Sequence, residues 1–391
     1  MQERLLTYKM ANPKLTAKKL AKITQKTPYL LMDLDSVADK YQEMHKSLPD
    51  FKIFYAVKCN PEERILKRLH KEGSLFEVAS VGEIKRLIKI GFNLDGCIYS
   101  NPVKPTEHIA EAYKLGVRYF AYDCPEELEK IAKAAPGSKV YLRMTVSNHG
   151  SLINLANKFG ADKSHAVMLL LLAQDLGLEA FGLAFHIGSQ SENVRLWDQA
   201  FDDVVDVLNE LKEQKVTLKC LNIGGGFPAR YTEKVPTMGE ISRRINKNLK
   251  KLPYKMELWC EPGRFMVAEA GVIATTVIGK TNRQNKPWIY VDAGRFQAFV
   301  EMFESDSLQY PIYTSADNAP RSKPKSLYTV TGPSCDSYDT ISRDVSLPTV
   351  LQVGDQVYFG TAGGYTNVYG APFNDFPVPA IIYTEDFKET K

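Results

Sequence analysis

The chain has 391 residues, more than a single hydrophobic core usually supports, so we expect two domains. Its 50 basic and 46 acidic side chains leave a formal charge of +4, a near-balance that argues against nucleic-acid partners. No apolar run reaches the roughly 20 residues of a membrane span, and the N-terminal stretch has no signal-peptide core, so we expect no membrane partner. Six cysteines without a CxxC pair argue against a zinc site or a disulfide framework and favour the reducing cytoplasm.

Between residues 52 and 260, short β-rich runs alternate with longer amphipathic segments. Strands are predicted at Lys52–Val57, Leu75–Val78, Gly96–Tyr99, Arg118–Tyr122, Lys139–Thr145, Glu179–His186, Thr217–Ile223 and Lys255–Cys260. Helices are predicted at Pro61–Lys71, Val81–Ile90, Pro105–Leu115, Glu126–Ala135, Leu152–Leu176, Asn193–Lys215 and Met238–Leu252. Eight strands alternating with helices predict an α/β fold, a parallel (β/α)8 TIM barrel. An open, doubly wound sheet is the alternative that this periodicity leaves open.

The pattern changes after Arg264. Short β-type runs are predicted at Val272–Ile278, Pro287–Val291, Leu327–Thr331, Asp355–Phe359 and Val378–Tyr383. No long amphipathic helix is predicted between them, so this part is expected to form an all-β domain, joined by the early run Tyr29–Asp33. The expected division is a barrel over residues 36–266 and a β-sheet domain made of residues 1–35 and 267–391.

Polar residues follow the predicted barrel strands at their carboxyl ends, where TIM barrels carry their sites. Because these ends converge on one rim, we expect the residues to form one site. The candidates are Lys58, Glu77, Arg143, His186, Ser189, Gly224, Gly225, Gly226, Glu261, Gly263 and Arg264.

Each candidate suggests one kind of chemistry beside a plainer interpretation. Lys58 follows an apolar strand, so burial should lower its pKa and provide a nucleophilic amine, although a lone lysine is more commonly a surface residue. The glycines 224–226 can bring backbone N–H groups against a phosphate, which Arg264 could also contact, or they can simply form a tight turn. Glu261 could keep a ring nitrogen protonated. His186 could stack on a flat cofactor or be a core histidine.

Six motifs occur in order over nearly the whole chain, from about Thr27 to Tyr383. They are YAVKCN at residues 55–60, FHIGSQ at 185–190, GGGFP at 224–228, EPGR at 261–264, GPSCD at 332–336 and GYT at 364–366. This set resembles the fold-type III pyridoxal-phosphate-dependent decarboxylases, which have an alanine-racemase-like fold. Within that family it is most similar to the bacterial lysine/ornithine decarboxylases.

The resemblance implies pyridoxal 5'-phosphate as cofactor, held as a Schiff base by Lys58. Glu261 would pair with the pyridine nitrogen and His186 would stack on the ring. The phosphate would be held by Ser189, Gly224, Gly225, Gly226, Arg264 and Tyr365, with Glu77, Arg143 and Gly263 as further cofactor-binding residues. In the family, the residues matching Cys335 and Asp336 reach into the partner subunit's site, which implies a homodimer with shared active sites. Cys335 would also return a proton to the substrate carbon.

The implied activity is decarboxylation of ornithine and/or lysine to putrescine or cadaverine, as in polyamine biosynthesis. The distal amine of the substrate would meet Asp336 together with Glu304 or Asp306, which lie in a segment one residue longer than in close relatives. Tyr365 and Phe373 are further substrate-binding candidates. A larger substrate, such as a siderophore precursor, is the alternative that this segment leaves open.

Other fold-type III proteins fit the sequence less well. A racemase would not be expected to place a glutamate at position 261, and a non-catalytic regulator would be expected to lose Lys58, Glu261 or Cys335. A diaminopimelate decarboxylase usually carries glutamate after the motif cysteine, where this chain has Asp336.

Overall fold

The structure, a computed structural model, describes residues 11–146, 151–153, 158–305, 307–318 and 324–387. The chain divides into two compact units. The first consists of Ala38–Pro228 and Val235–Met266, and the second of Met1–Val37, Ala229–Lys234 and Val267–Lys391. The short segment Ala229–Lys234, which was predicted to belong to the barrel domain, groups with the second unit.

The first unit contains a closed barrel of eight parallel strands. They are Phe51–Ala56, Leu75–Val78, Cys97–Tyr99, Tyr119–Tyr122, Lys139–Met144, Glu179–Phe185, Cys220–Asn222 and Glu257–Cys260. The last strand pairs with the first, Leu258 opposite Phe51 and Cys260 opposite Ile53, which closes the barrel. The predicted TIM barrel is confirmed, and the open sheet is wrong.

Aromatic side chains fill the interior of the barrel. The Trp259 ring lies 4.9 Å from that of Phe54, 5.2 Å from that of Tyr119 and 5.5 Å from that of Phe181, measured between centroids. Burying a large apolar side chain contributes about 1.5–3 kcal/mol, so this cluster stabilises the barrel substantially. Because the interior is packed, functional groups must lie at the strand ends.

The described α-helices are Ala17–Leu20, Leu34–Ser47, Glu63–Glu72, Val81–Lys89, Thr106–Leu115, Pro125–Ala134, Lys163–Asp175, Leu196–Glu213, Met238–Leu249, Arg264–Val267 and Thr366–Tyr369. None of these described helices is long and apolar enough to cross a membrane. The predicted helix Leu152–Leu176 is wrong in its first part, because residues 151–153 form a strand that pairs with Ser189–Ser191. The helix begins only at Lys163, after Gly160, whose φ of +111° is incompatible with a right-handed helix. Residues 154–157 lie outside the described part.

The second unit contains a mixed eight-stranded sheet. Six strands lie side by side in the order Ile312–Thr314, Gln356–Phe359, Gly271–Arg283, Lys286–Val291, Lys325–Thr331 and Thr340–Pro348. The expectation that the early run joins this sheet is confirmed, because Tyr29–Met32 lies between Gly271–Arg283 and Ala380–Tyr383. Two strands were not predicted: Ile312–Thr314 has only three residues, and Thr340–Pro348 is interrupted by Asp344 at φ +56°.

Candidate active site

Lys58 and Glu77 form an ion pair at the carboxyl ends of the first two barrel strands. Lys58 lies in a short 3-10 turn directly after Phe51–Ala56, and its Nζ donates a hydrogen bond to Glu77 Oε2. The Glu77 side chain is 1% exposed, whereas the Lys58 side chain is 47% exposed. A reachable amine is therefore paired with a carboxylate that the barrel holds in place.

The charge state of Lys58 differs from the expectation. Burial alone would lower the pKa of Lys58, but the carboxylates of Glu77 and Glu261 and the hydrogen bond to Glu77 outweigh it, and the pKa is raised above its ordinary value. The expectation of a lowered pKa is wrong for the chain without cofactor, because the sequence did not show how close the two carboxylates lie. An amine must be neutral to act as a nucleophile, and Glu77 is placed to accept the proton.

Glu261 follows the last barrel strand and accepts two short hydrogen bonds. Ser100 Oγ donates to Glu261 Oε1 at 2.5 Å, and Asn222 Nδ2 donates to the same oxygen at 2.6 Å. Burial and the nearby Glu77 charge raise the pKa of Glu261, while Lys58 and these two hydrogen bonds oppose the rise. Ser100 and Asn222 were not among the predicted site residues, although both lie at strand carboxyl ends, where the barrel rule makes polar residues candidates without showing what they contact.

His186 presents a neutral imidazole at the same rim. Burial, followed by the Arg143 and Lys58 charges, lowers the pKa of His186 to about 3. Its Nδ1 accepts a hydrogen bond from the Gly188 N–H at 3.0 Å, which leaves the remaining ring proton on Nε2. A flat, uncharged ring of this kind suits stacking on a conjugated cofactor.

The glycine loop follows strand Cys220–Asn222, and only glycine fits there. Gly224 has a φ of +65° and Gly226 a φ of +97°, both in the left-handed region. A Cβ at Gly224 would overlap the Phe185 carbonyl oxygen, and a Cβ at Gly226 would overlap that of Gly188. The loop therefore presents bare backbone, which is the arrangement that lets N–H groups approach an anion.

Arg264 and Ser189 are joined beside the glycine loop. The Arg264 guanidinium donates to Ser189 Oγ at 3.1 Å, and Arg264 is only 4% exposed. The Ser191 N–H donates to the Gly226 carbonyl at 2.9 Å, which ties the Ser189–Ser191 strand to the loop. A buried guanidinium, a hydroxyl and bare backbone together can bind a phosphate. We call Arg264, Ser189 and the glycines 224–226 the phosphate cradle.

Arg143 is the remaining predicted cation of the first unit. Burial lowers the pKa of Arg143 from its ordinary value, and its guanidinium carbon lies 5.5 Å from the centre of the Phe159 ring. Gly263 is buried in the turn before Arg264.

The assembled site fits pyridoxal phosphate. The Lys58 amine suits its aldehyde, and the Glu261 carboxylate suits its ring nitrogen. The neutral His186 imidazole suits its ring face, and the phosphate cradle suits its phosphate.

Adding a methyl group to the middle glycine should damage this cradle. In Gly225→Ala, the new Cβ would lie 2.7 Å from the Glu261 carbonyl oxygen and 3.1 Å from His186 Nε2, so one of them must move. We expect weaker retention of pyridoxal phosphate and a loss of about 1–3 kcal/mol in the free energy of unfolding. Both can be measured by cofactor titration and chemical denaturation. Gly239→Ala is the control, because its Cβ would meet only ordinary contacts within a helix. Unchanged cofactor binding in Gly225→Ala would contradict the assignment of the glycine loop to the phosphate.

The second unit carries Cys335 and Asp336. Cys335 is exposed, and both its N–H and its thiol donate to Asn374 Oδ1, at 3.3 and 3.4 Å. Asp336 caps the following 3-10 turn, where its carboxylate accepts from the Tyr338 N–H at 2.8 Å. The thiol is therefore accessible, and the carboxylate beside it is fixed by the backbone.

Asp339, which was not among the predicted site residues, organises this loop. It is fully buried, and its carboxylate accepts from the Ser334 N–H at 3.0 Å and from the Arg295 N–H at 2.7 Å. A Cβ at Gly332 or Gly294 would overlap this carboxylate, so both glycines are required. The motif at residues 332–336 contains the glycine but not the acid that explains it.

The other predicted residues of the second unit lie among aromatic side chains. Tyr365 has a φ of +63°, and its ring stacks on that of Tyr369 with centroids 6.0 Å apart. The Phe373 ring lies 4.5 Å from that of Phe296. Their assignment to phosphate and substrate stays a prediction.

Neither of the two acids proposed for the distal amine is assigned to it by the described residues. Glu304 is exposed and follows the 3-10 turn Val300–Phe303. Asp306 lies outside the described residues. Which acid faces the substrate therefore stays a prediction.

Comparison with known proteins identifies the family. The family model described as "Pyridoxal-dependent decarboxylase, pyridoxal binding domain" matches residues 34–268. The lysine/ornithine decarboxylase of Selenomonas ruminantium is 37% identical over 97% of this chain and 96% of its own length. The Vibrio vulnificus lysine/ornithine decarboxylase, solved with putrescine, is 30% identical with a TM-score of 0.87, over 96% of this chain and 99% of that one.

A third relative is named for a different basic amino acid. The arginine decarboxylase of Paramecium bursaria Chlorella virus, solved with agmatine, is 30% identical with a TM-score of 0.87 over 94% of this chain and 98% of that one. The match to the family model covers more than half of the chain, and the resemblance inferred from the six motifs is confirmed. The chain belongs to the pyridoxal-dependent decarboxylases.

Proposed function

We propose that this chain decarboxylates ornithine and/or lysine, with pyridoxal phosphate bound at Lys58, and releases putrescine or cadaverine. The observation that carries the proposal is the meeting of a reachable lysine, the buried Glu77, the partly buried Glu261 and the glycine loop at one barrel rim. The lysine/ornithine decarboxylases among the relatives support the substrate class.

The residues divide the chemical work. When bound, pyridoxal phosphate supplies an electron sink for the carbon that loses carbon dioxide. The negative charge of Glu261 would favour a protonated ring nitrogen, and the neutral His186 ring would hold the cofactor plane without adding charge. Glu77 Oε2 accepts the proton that Lys58 Nζ must release. Cys335 is the proposed acid that returns a proton to the substrate carbon.

We further propose that the chain acts as a homodimer in which Cys335 and Asp336 serve the active site of the second copy. In the single chain, Cys335 is exposed beside aromatic side chains that are themselves exposed, Tyr338 by 71% and Phe373 by 37%. Exposed aromatic rings beside a functional loop are typical of surfaces that another protein covers. We also propose a domain division of 36–266 for the barrel and 1–35 with 267–391 for the sheet domain, apart from the segment Ala229–Lys234, which groups with the second unit.

We place the reaction in the cytoplasm and in polyamine biosynthesis. All six cysteines are free, which fits a reducing compartment. The proposed products, putrescine and cadaverine, are themselves diamines.

A substrate panel tests the function. Purified protein is incubated with ornithine, lysine, arginine, diaminopimelate and acylated ornithine, and carbon dioxide and amine products are measured. We expect ornithine or lysine to give the highest kcat/KM. Turnover of only the acylated substrate would favour the siderophore-type alternative. Cofactor binding without turnover of any substrate would favour a non-catalytic regulator.

Specificity should depend on the acids at the distal end of the substrate. Asp336→Asn should lower kcat/KM for ornithine and lysine by several kcal/mol in activation free energy, because it removes the partner of a buried ammonium group. An uncharged analogue of equal length should be affected far less. Comparing Glu304→Gln with Asp306→Asn then identifies the inward acid, since only that variant should lose activity. Near-native activity in all three variants would mean that the pocket does not bind a distal amine.

A further inference from the structure

Two donors fix the same oxygen of Glu261. Ser100 follows strand Cys97–Tyr99 and Asn222 ends strand Cys220–Asn222, and each donates to Oε1, at 2.5 and 2.6 Å. Asn222 is fully buried and Ser100 is 8% exposed. Among the described residues, the side-chain hydrogen bonds of Glu261 go to Oε1, so Oε2 can face another group.

The hydroxyl network has a definite direction. Tyr141 Oη lies 2.6 Å from Ser100 Oγ. Serine carries one hydroxyl proton, and Ser100 gives it to Glu261, so Tyr141 must be the donor to Ser100. Burial raises the pKa of Tyr141 well above its ordinary value, so this phenol keeps its proton. The direction of donation therefore runs from the Tyr141 hydroxyl to Ser100, and from Ser100 to the Glu261 carboxylate.

Asn222 connects the carboxylate to the phosphate cradle. Its Nδ2 donates to Glu261, while its Oδ1 accepts from the Gly224 N–H at 3.0 Å. The Glu261 N–H in turn donates to the Gly224 carbonyl at 2.7 Å. One amide side chain thus contacts the carboxylate proposed for the ring nitrogen and the first glycine proposed for the phosphate.

These donors have an electrostatic purpose. Glu261 is partly buried beside Glu77, and both burial and that negative charge favour its neutral form. A protonated Glu261 could not stabilise a positive charge on a ring nitrogen. Hydrogen bonds from Ser100 and Asn222 favour the ionised form, and a fully buried donor keeps its geometry without rearrangement.

We propose that Ser100, Tyr141 and Asn222 are positioning residues that keep the Glu261 carboxylate ionised and aimed, and that Asn222 also sets the glycine loop. This inference rests on the proposed decarboxylase function, in which Glu261 pairs with the cofactor ring. Ser100 and Tyr141 would act at the ring-nitrogen end of the cofactor. Asn222 would act at both the ring-nitrogen end and the phosphate end.

Variants of the cofactor-loaded enzyme test the assignment. Ser100→Ala and Tyr141→Phe should lower kcat about tenfold and change KM by less than about twofold, because each removes one hydrogen bond of the chain that ends on Glu261. Weaker donors raise the pKa of Glu261, so the acid limb of the kcat profile should move to higher pH by about one unit. The protonation transition seen in the absorbance of bound cofactor should move in the same direction.

Asn222→Ala should show the same shifts and, in addition, retain pyridoxal phosphate at least about tenfold more weakly, since it also releases the Gly224 N–H. The matched control is Tyr122→Phe. Tyr122 is equally buried, but its hydroxyl donates to the Leu169 carbonyl at 3.2 Å. This variant should keep the wild-type kcat and pH profile.

The outcomes separate this inference from the proposed function. Wild-type kcat and pH profile in Ser100→Ala and Tyr141→Phe would overturn it, as would activity lost with no shift in either pH measurement, which would indicate a purely structural role. Normal cofactor retention in Asn222→Ala would overturn the link to the glycine loop. A wild-type protein that binds cofactor but decarboxylates nothing would refute the proposed function, and the absorbance titration of the variants would still decide the role of the three residues.

Discussion

Lys58→Ala should abolish decarboxylation, lowering kcat/KM by at least about a thousandfold. Lys58 supplies the amine at the rim. Its partner Glu77 is a carboxylate and cannot replace that amine. The fold should survive, because Lys58 lies in a turn at the rim and about half of its side chain is exposed. Removing it leaves Glu77 as a buried carboxylate without its ammonium partner, so some stability should be lost. Turnover, and the unfolding transition recorded by circular dichroism, measure the two effects separately.

The labelling experiment makes this prediction specific. Borohydride reduction of the wild-type enzyme should attach the cofactor covalently to Lys58, and peptide mapping identifies the site. Lys52→Ala is the matched control, since Lys52 is the second residue of the same strand, Phe51–Ala56, and pairs with Glu257 at the protein surface, at 2.6 Å. An exposed pair of this kind contributes at most about 1 kcal/mol, so activity should not change. A label on another lysine, or near-native turnover in Lys58→Ala, would refute the assignment.

The barrel and the cofactor rim could be predicted because both follow from local rules. Parallel barrel strands are buried on both faces, so Phe51–Ala56 and Glu179–Phe185 appear in the sequence as apolar runs bounded by polar residues. The residue after such a run lies at the rim, which placed Lys58 and Glu261 correctly. The glycines 224–226 were recognisable because a positive φ together with close backbone approach leaves no other residue type.

What the sequence could not show depends on contacts between distant strands. The raised pKa of Lys58 arises from two carboxylates on other strands, and its sign depends on their distances. Ser100 and Asn222 are small polar residues of a common type, and only the closed barrel shows that both reach Glu261. Asp339 lies three residues beyond the motif it organises. Strand Thr340–Pro348 is only partly buried over most of its length and lacks the alternation of buried and exposed residues that would have identified it.

Mixing two inactive variants should restore activity if the proposed dimer shares its sites. Cys335→Ala alone should lose about a hundredfold to ten-thousandfold in kcat, since it removes the proposed acid. In a heterodimer of Lys58→Ala and Cys335→Ala chains, one site combines the intact Lys58 of one chain with the intact Cys335 of the other. Random exchange in an equal mixture gives half heterodimers, each with one native site, so roughly a quarter of wild-type activity should return. Activity is measured after subunit exchange has been confirmed by mass spectrometry.

A chain carrying both substitutions provides the control that separates the two geometries. Mixed equally with wild-type chains, it gives heterodimers in which a shared site always lacks either Lys58 or Cys335. Only the wild-type homodimers then remain active, and about a quarter of the sites should work. If both residues acted within one chain, every wild-type chain would keep its own site, and about half of the sites would work. A value near one half, together with no recovery in the first mixture, would show that Cys335 does not serve the neighbouring site.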